Sequence, residues 1–580
     1  MELQSLIYLF VGISFTIYFG LALWTKSTST KDFYIAKNSF NPISNGVSIA
    51  VDFISAVTFV ALAGTISYIG FDGSAYIMGF TGGFVLLTLL IVPYLRKFGK
   101  FHLSEFIEAR YYSRFARNIT ILIIIIVSFI YISAQMKGIG IVFSRIFQID
   151  KEIALVVAIF VAFLYSLLGG IRQVTYTQIA QYIIILFAFI TPIIFLCLEF
   201  TNGFLPHLAL FSKTTFAFDT GIKVIPEGTF LLHVLDSSLE DFGFSYTKAL
   251  GLLDIFTISL SLMLGVATLP HILVKFISTP SVNDSRKSAF WALIFIAIIY
   301  TTLSPLAALS KLNNIKHTQN VEYEAFINDE IKFQNDSPNN GKWLQTWQDI
   351  GEIKYIEKNN DGKIQINNSN SNELFINPDI QTLVNPEIAN LPNWTIALIL
   401  AGALAAALST MTGLILITTN SILLLFIEKE IAYNSTKFKI LSKLFLLIII
   451  SLATFFTIPY YSIIKTITIS FTILAGTLFP TIVLGIFNKN ITKEGAIVGL
   501  LTSLIFMLVY IIYFCFINND INSSDEYLFG ITPIGIGIIG AVLNFIVAII
   551  VSKFTPKVPD DVILLIDNLR SPSINQKESL

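Results

Sequence analysis

The stretch "SNGVSIAVDFISAVTFVALAGTISYIG" at residues 44–70 is long and apolar enough to cross a bilayer, yet it carries a carboxylate near its centre. About 20 apolar residues in a helix cover the roughly 30 Å of hydrocarbon. That reading places Asp52, Ser55 and Thr58 at membrane depth, with Gly46 and Gly64 on either side. A carboxylate there is costly when isolated, so Asp52 needs a cation, a water-filled cavity or hydrogen-bond donors. A segment that merely anchored the chain would have no use for it.

Two other stretches break the same rule. "GLLDIFTISLSLMLGVATLPHILVKF" (251–276) holds Gly265, Thr268, Pro270 and His271. Gly265 weakens the helix and Pro270 removes a backbone donor. "LAGALAAALSTMTGLILITTNS" (400–421) has small residues at Gly402, Ala405, Ala406 and Ala407, which let a neighbouring backbone approach closely. Ser409, Thr410 and Thr412 add hydroxyl oxygens beside that contact. Hydroxyls plus carbonyls freed at a helix break suit a weakly held hard cation such as sodium. Taken alone, the same hydroxyls bond back to their own helix.

The whole chain agrees with a membrane setting. Its 580 residues are 54% hydrophobic and 13% charged, with a mean hydropathy of +0.74, whereas soluble domains carry about 25% charge. Lipid must solvate much of the surface, and the chain reads as an all-α integral membrane protein of about thirteen spans. The apolar runs fall at 4–25, 44–69, 75–95, 118–147, 152–169, 176–200, 249–278, 287–311, 393–427, 438–458, 461–487, 494–517 and 530–553. The first lacks the basic flank and cleavage site of a signal peptide and reads as a retained span.

Most of the 37 lysines and arginines fall in alternate loops, Arg110, Lys275, Lys429 and Lys577 among them. The positive-inside rule then sets the N-terminus outside and the C-terminus in the cytoplasm. The loop at 312–392 is rich in Asn, Asp and Lys, which favours a solvated loop, although a small external cap is an alternative. "DVILLIDNL" (561–569) in the tail at 554–580 reads as an amphipathic helix. A net charge of −1 gives no case for nucleic acid, and the two cysteines, Cys197 and Cys515, lie in apolar runs away from any metal or redox pattern. No HExxH, P-loop or G-x-S-x-G pattern supports catalysis, so no catalytic residue and no metal beyond sodium is expected.

The two interrupted segments are five spans apart. Each opens a five-helix unit, at 40–201 (spans 2–6) and 248–488 (spans 7–11), and an odd number of spans inverts the second unit. Residues 1–30 then form a leading helix and 493–553 two trailing ones. Inverted repeats with broken helices are the pattern of secondary transporters, which bind solute and ion at the midplane. Gly and Pro also kink ordinary membrane helices, so the breaks alone leave both readings open.

Four further stretches carry a resemblance. They are "DFISAVTFVALAG" with "GFDGSAYIMGFTGG" and "YLRKFGKFHLSEFI" (52–107), "ISAQMKGIG" (132–140), "LMLGVATLPHILVKF" with "SRKSAFWA" (262–292), and "AAALSTMTGLILITTNS" (405–421). Through most of 40–500 the chain resembles the sodium/solute symporter family, and within it the acetate-permease (cation/monocarboxylate) branch. The loop at 312–392 and the distal tail show no such likeness. The resemblance implies a leucine-transporter-type fold of inverted five-helix repeats, with sodium as the coupling ion. It implies sodium ligands at Val51, Ile54, Ala406, Ser409 and Thr410, with Ala50 competing with Val51 and Asp52 beside the site. Where some family members carry an aspartate for a second cation, "GGIRQVTYTQIAQ" (169–181) has Gln178, which implies one sodium per cycle. A solute cavity would be lined by Ser55, Ala56, Thr58, Tyr131, Gln135 and Thr268. Lys137, the nearest intramembrane positive charge, would serve an anionic solute or instead pair with a carbonyl or with Asp52, and His271 would titrate near neutrality or simply pack beside the proline kink.

The function that follows is sodium-driven import of a small organic solute, a short-chain monocarboxylate such as acetate, across the cell inner (plasma) membrane. Partners are the solute, Na⁺ and the lipid bilayer, without nucleic acid; the sequence is silent on a small accessory membrane subunit. Proton coupling, symport of a neutral solute such as a sugar or proline, and a membrane solute sensor are the alternatives.

Overall fold

The computed structural model describes residues 2–25, 40–100, 102–168, 171–220, 222–241, 251–328, 341–367, 371–426, 436–457, 462–518 and 526–571. Among these, nine helices are long and apolar enough to cross a membrane, or eleven if each of two sharply bent pairs is one span. In chain order the helices that matter here are α1 (Leu3–Trp24), α2 (Pro42–Phe53), α3 (Val57–Ile69) and α4 (Ser74–Phe98). Then come α5 (Leu103–Arg110), α6 (Arg114–Phe147), α7 (Lys151–Leu168) and α8 (Ile171–Thr201). The second half begins with α9 (Leu252–Val266), α10 (Pro270–Ile277) and α11 (Val282–Thr318). It continues with α12 (Lys342–Asp349), α13 (Gln381–Ile388), α14 (Asn393–Phe426) and α15 (Thr436–Phe455). Last are α16 (Ile463–Phe487), α17 (Lys493–Ile517), α18 (Ile536–Lys553) and α19 (Asp560–Arg570). Every apolar run read from the sequence carries helix. The Gly169-Gly170 end of the fifth run and Lys26, Lys31, Lys37, Lys429 and Lys577 lie outside the described residues.

The break in the opening stretch is a matter of where backbone groups find partners. Asn41 caps α2, its side chain accepting from the Ser44 amide at 2.7 Å, and Pro42 occupies the first turn, where no donor is needed. The helix stops at Ile54 (φ −82°, ψ 74°), and α3 leaves at 55° to α2. Two orphan amides at the start of α3 are taken by side chains: Val57 donates to Ser55 Oγ at 3.2 Å, and Ala56 donates to Gln135 Oε1 at 3.2 Å. A polar residue at each side of the gap thus makes the break affordable in lipid. The second bent pair, α9 and α10 at 42°, is built on Pro270 at the first position of α10.

Small residues let the broken helices approach their neighbours. Gly79 and Gly83 of α4 face Ser259, Leu262, Met263 and Val266 of α9, and Gly402 of α14 faces Ala188 of α8 and Phe59 of α3. At Gly265 the neighbour is the Phe471 backbone itself, so a methyl group there meets a carbonyl that cannot rotate away. Gly265→Ala is expected to cost about 1–3 kcal/mol through this overlap. Gly12→Ala in α1, where a Cβ meets nothing within 4 Å, is expected to cost nothing. Thermal unfolding in detergent compares them, and equal melting temperatures would contradict the close contact.

The loop at 312–392 departs from the solvated expectation. Its described part is a packed cap made of α12, α13 and a two-stranded antiparallel pair, Ile353–Tyr355 with Leu374–Ile376. Trp347 and Glu387 are buried. Glu387 pairs with Arg145 of α6 at 2.9 Å and accepts from Trp347 Nε1 at 3.2 Å. Lys151 pairs with Glu352 at 2.6 Å. Lys137 pairs with Asp379 at 3.3 Å, and not with Asp52; the same carboxylate caps α16 by accepting from the Ile463 amide at 2.8 Å. Composition hid this cap because its many Asn, Asp, Glu and Lys residues outweigh, in the average, the apolar side chains it buries, Trp343, Leu344, Trp347 and Leu383 among them. Residues 368–370 of "NNSNSNE" (367–373) lie outside the described residues.

Two cations counted toward orientation are internal. Arg110 is fully buried and donates to the carbonyls of Gly485, Asn488 and Ile491 at 2.7, 2.7 and 3.2 Å, closing the end of α16. Lys275 is also buried. The tail helix α19 is amphipathic as expected, with Val562, Ile566 and Leu569 buried.

Candidate functional site

The bend between α2 and α3 leaves the last carbonyls of α2 without helical partners, and α14 brings hydroxyls to them. Ser409 Oγ donates to Ala406 O at 2.8 Å and lies 3.5 Å from Val51 O. Thr410 Oγ1 donates to Asp52 O at 3.0 Å and lies 3.5 Å from both Val51 O and Ala406 O. Ser409, Thr410, Val51 and Ala406 are fully buried. Five oxygens therefore converge: two hydroxyls and the carbonyls of Val51, Asp52 and Ala406. Oxygens about 3.5 Å apart match the spacing of ligands that share a hard cation at about 2.3–2.6 Å. Ala50 O is engaged inside α2, accepting from the Ile54 amide at 2.8 Å. Ile54 lies at the end of the same turn, fully buried.

Asp52 finds its cation in Lys275. The Lys275 ammonium lies 2.5 Å from Asp52 Oδ2, 2.5 Å from Gln178 Oε1, and 2.5 and 3.0 Å from Ser48 Oγ and Ser48 O. Gln178 Nε2 donates to Asp52 Oδ1 at 2.5 Å and reaches Ser409 O at 3.3 Å. Lys275 looked like a loop residue because it ends an apolar run. Its position one turn after His271 on α10 was the available signal that it faces inward.

Beyond the break lies a small cavity of about 10 Å³, on the order of one water molecule. Ser55, Thr58 and Tyr131 line it, with Phe53, Tyr300 and Phe471 among the other walls. The other three residues expected there stand behind the wall. Ala56 packs near Gly138, Gln135 spends its carbonyl on the Ala56 amide, and Thr268 Oγ1 donates to Gly265 O at 3.0 Å. Gln135 and Thr268 thus serve the backbone at the breaks, and none of the three lines the space. Tyr300 was not anticipated; its hydroxyl bonds Thr58 Oγ1 at 3.0 Å. His271 is buried with its ring against that of Tyr131, centroids 5.5 Å apart. Hydroxyls set in aromatic walls suit a small solute with one polar end, and the walls must part to admit one.

Two broken helices beside a buried cavity, with oxygens gathered at the first break, belong to a fold of the leucine-transporter type, built on inverted five-helix repeats. The chain belongs to the Sodium:solute symporter family, whose model matches residues 33–310 and 373–503. Much of the cap falls in the gap, although the match resumes at residue 373, earlier than the resemblance suggested.

An uncharacterized symporter of Cupriavidus necator is 28% identical, over 95% of this chain and 91% of its own. A monocarboxylic acid transporter of Corynebacterium glutamicum is 30% identical, over 51% of this chain and 53% of its own. Among solved structures, a Na⁺-coupled sialic acid symporter in a substrate-bound outward-open state superposes with a TM-score of 0.65 at 13% identity, covering 96% of this chain and 99% of that one. The protein is thus a multi-pass membrane transporter and not an enzyme, and it couples solute movement to Na⁺.

Proposed function

We propose that this chain imports a short-chain monocarboxylate such as acetate, with one sodium ion per cycle, by alternating access. The observation that carries the reading is the convergence of Ser409 Oγ, Thr410 Oγ1, Val51 O and Ala406 O. Sodium would sit among them, with Ile54 completing the set and Val51 preferred to Ala50, whose carbonyl is already bonded. The ion would tie α2 to α14 and so shape the cavity beside it. By linkage, solute would then tighten sodium by the same factor. Ser55, Thr58, Tyr131 and Tyr300 would hold the solute directly; Ala56, Gln135 and Thr268 would act through the backbone of the breaks.

The name of the Corynebacterium relative supports the carboxylate class. The repeats would be 40–201 and 248–488, in the cell inner membrane with the N-terminus outside and the tail cytoplasmic. A monoanion moving with one sodium carries no net charge, so uptake should produce no current. Uptake of short-chain carboxylates, proline and hexoses is compared with sodium present or replaced by choline at fixed pH. The expected result is carboxylate uptake that requires sodium. Full uptake in choline, or a response to sugars or amino acids alone, would overturn the reading.

A further inference from the structure

The Lys275 ammonium sits in a shell that resembles a cation site more than a simple ion pair. Four oxygens surround it, from Asp52, Gln178 and twice from Ser48, drawn from α2 and α8 while the lysine itself comes from α10. Its side chain is 7% exposed and that of Asp52 0%. Burying such a pair brings little net stability compared with an apolar replacement, so stability alone does not account for it.

The shell also shares residues with the hydroxyl pair on α14. Asp52 gives its carboxylate to Lys275 and its main-chain carbonyl to Thr410. Ser409 gives its carbonyl to Gln178 and its hydroxyl to the other oxygen set. Two cation positions therefore stand wall to wall, and one is filled by the protein itself.

We propose that the Lys275 ammonium is a tethered cation occupying a second monovalent-cation site, and that it fixes coupling at one free sodium per cycle. The proposal rests on the reading above that the Ser409–Thr410 set holds sodium. With the ammonium removed, Asp52, Ser48 and Gln178 remain as an anionic oxygen cage of suitable ligand type for a second Na⁺. With Asp52 neutralised, the ammonium loses its anion and is free to compete with sodium at the neighbouring carbonyls.

The test measures solute uptake against sodium concentration, together with current, for the full-length wild type, Lys275→Met, Asp52→Asn and the double variant. Wild type is expected to show a Hill coefficient of about 1 and no current with a monocarboxylate. Lys275→Met is expected to move the coefficient toward about 2 and to carry one positive charge per solute. The double variant, with neither charge, should return to the wild-type pattern. Asp52→Asn should need more sodium for half-saturation.

A lysine that only holds helices together would lower the rate in Lys275→Met without changing the coefficient or the charge moved, and that outcome overturns the proposal. Binding of ²²Na⁺ to purified protein gives the same count, one ion against two, should the variant reach the membrane poorly. One ion bound by Lys275→Met again overturns it. Sodium-independent uptake by the wild type would instead sink the preceding reading, so the two failures are separable.

Discussion

Replacing Ser409 by alanine and Thr410 by valine together is expected to raise the sodium concentration for half-maximal uptake by at least a hundredfold. Each hydroxyl is fully buried within 3.5 Å of Val51 O, and each would be a ligand to an ion. A hydrogen bond or ligand contact to a charged group contributes about 1.5–3 kcal/mol, and about 1.4 kcal/mol is tenfold in affinity. Two lost ligands therefore give a factor of about a hundred or more, with either single variant near the square root of that. Thr410→Ser, which keeps the oxygen, should stay close to wild type. Thr412→Ala is the control: it lies on the same helix, but its hydroxyl donates to Leu408 O in its own turn. If Thr412→Ala shifts the sodium dependence as much as the pair does, the cation is not held where the oxygens converge.

Glu387→Ala is expected to lower stability by about 3–5 kcal/mol, the usual cost of stranding a buried charge. The partner left behind is Arg145, 3% exposed, beneath the Trp347 ring at 5.8 Å. Burial holds the Glu387 carboxyl above the ordinary carboxylate range, with Arg145 pulling the other way. The pair is thus one in which solvation loss is large, and removing one member is worse than removing both. Arg145→Met with Glu387→Met should recover most of the lost stability. Thermal unfolding in detergent decides: a double variant as unstable as Glu387→Ala would mean that the loss does not come from stranding the Arg145 charge.

The membrane class was legible because it depends on solvent, and hydropathy reports solvent directly. The helix breaks were legible for a similar reason. Asp52, Pro270 and Gly265 each carry a local cost that can be read without knowing any neighbour. What could not be read was which polar groups settle those costs. Gln135 looks like a solute ligand from its depth in α6, yet its carbonyl caps the first amide of the α3 half. Lys275 looks like a headgroup-facing cation because it ends an apolar run, yet it is the partner of Asp52 from 223 residues away, across a bundle no local window sees. The cap at 341–392 failed for another reason: a few large side chains such as Trp347 bury well on a surface already present, and average composition registers only the remainder.

The opening stretch shows where the division falls. By itself the sequence marked residues 44–70 as apolar and long enough for a membrane segment, placed an interruption near Asp52, and required a cation, a water-filled cavity or hydrogen-bond donors to answer the carboxylate. These follow from the cost of bare charge and bare backbone in hydrocarbon, which are properties of single segments. Only the tertiary structure decided that the cation answering Asp52 is Lys275, and that the carbonyls freed at the break meet Ser409 and Thr410. Those are pairings between segments hundreds of residues apart, and packing, not local energy, chooses among the partners that chemistry allows.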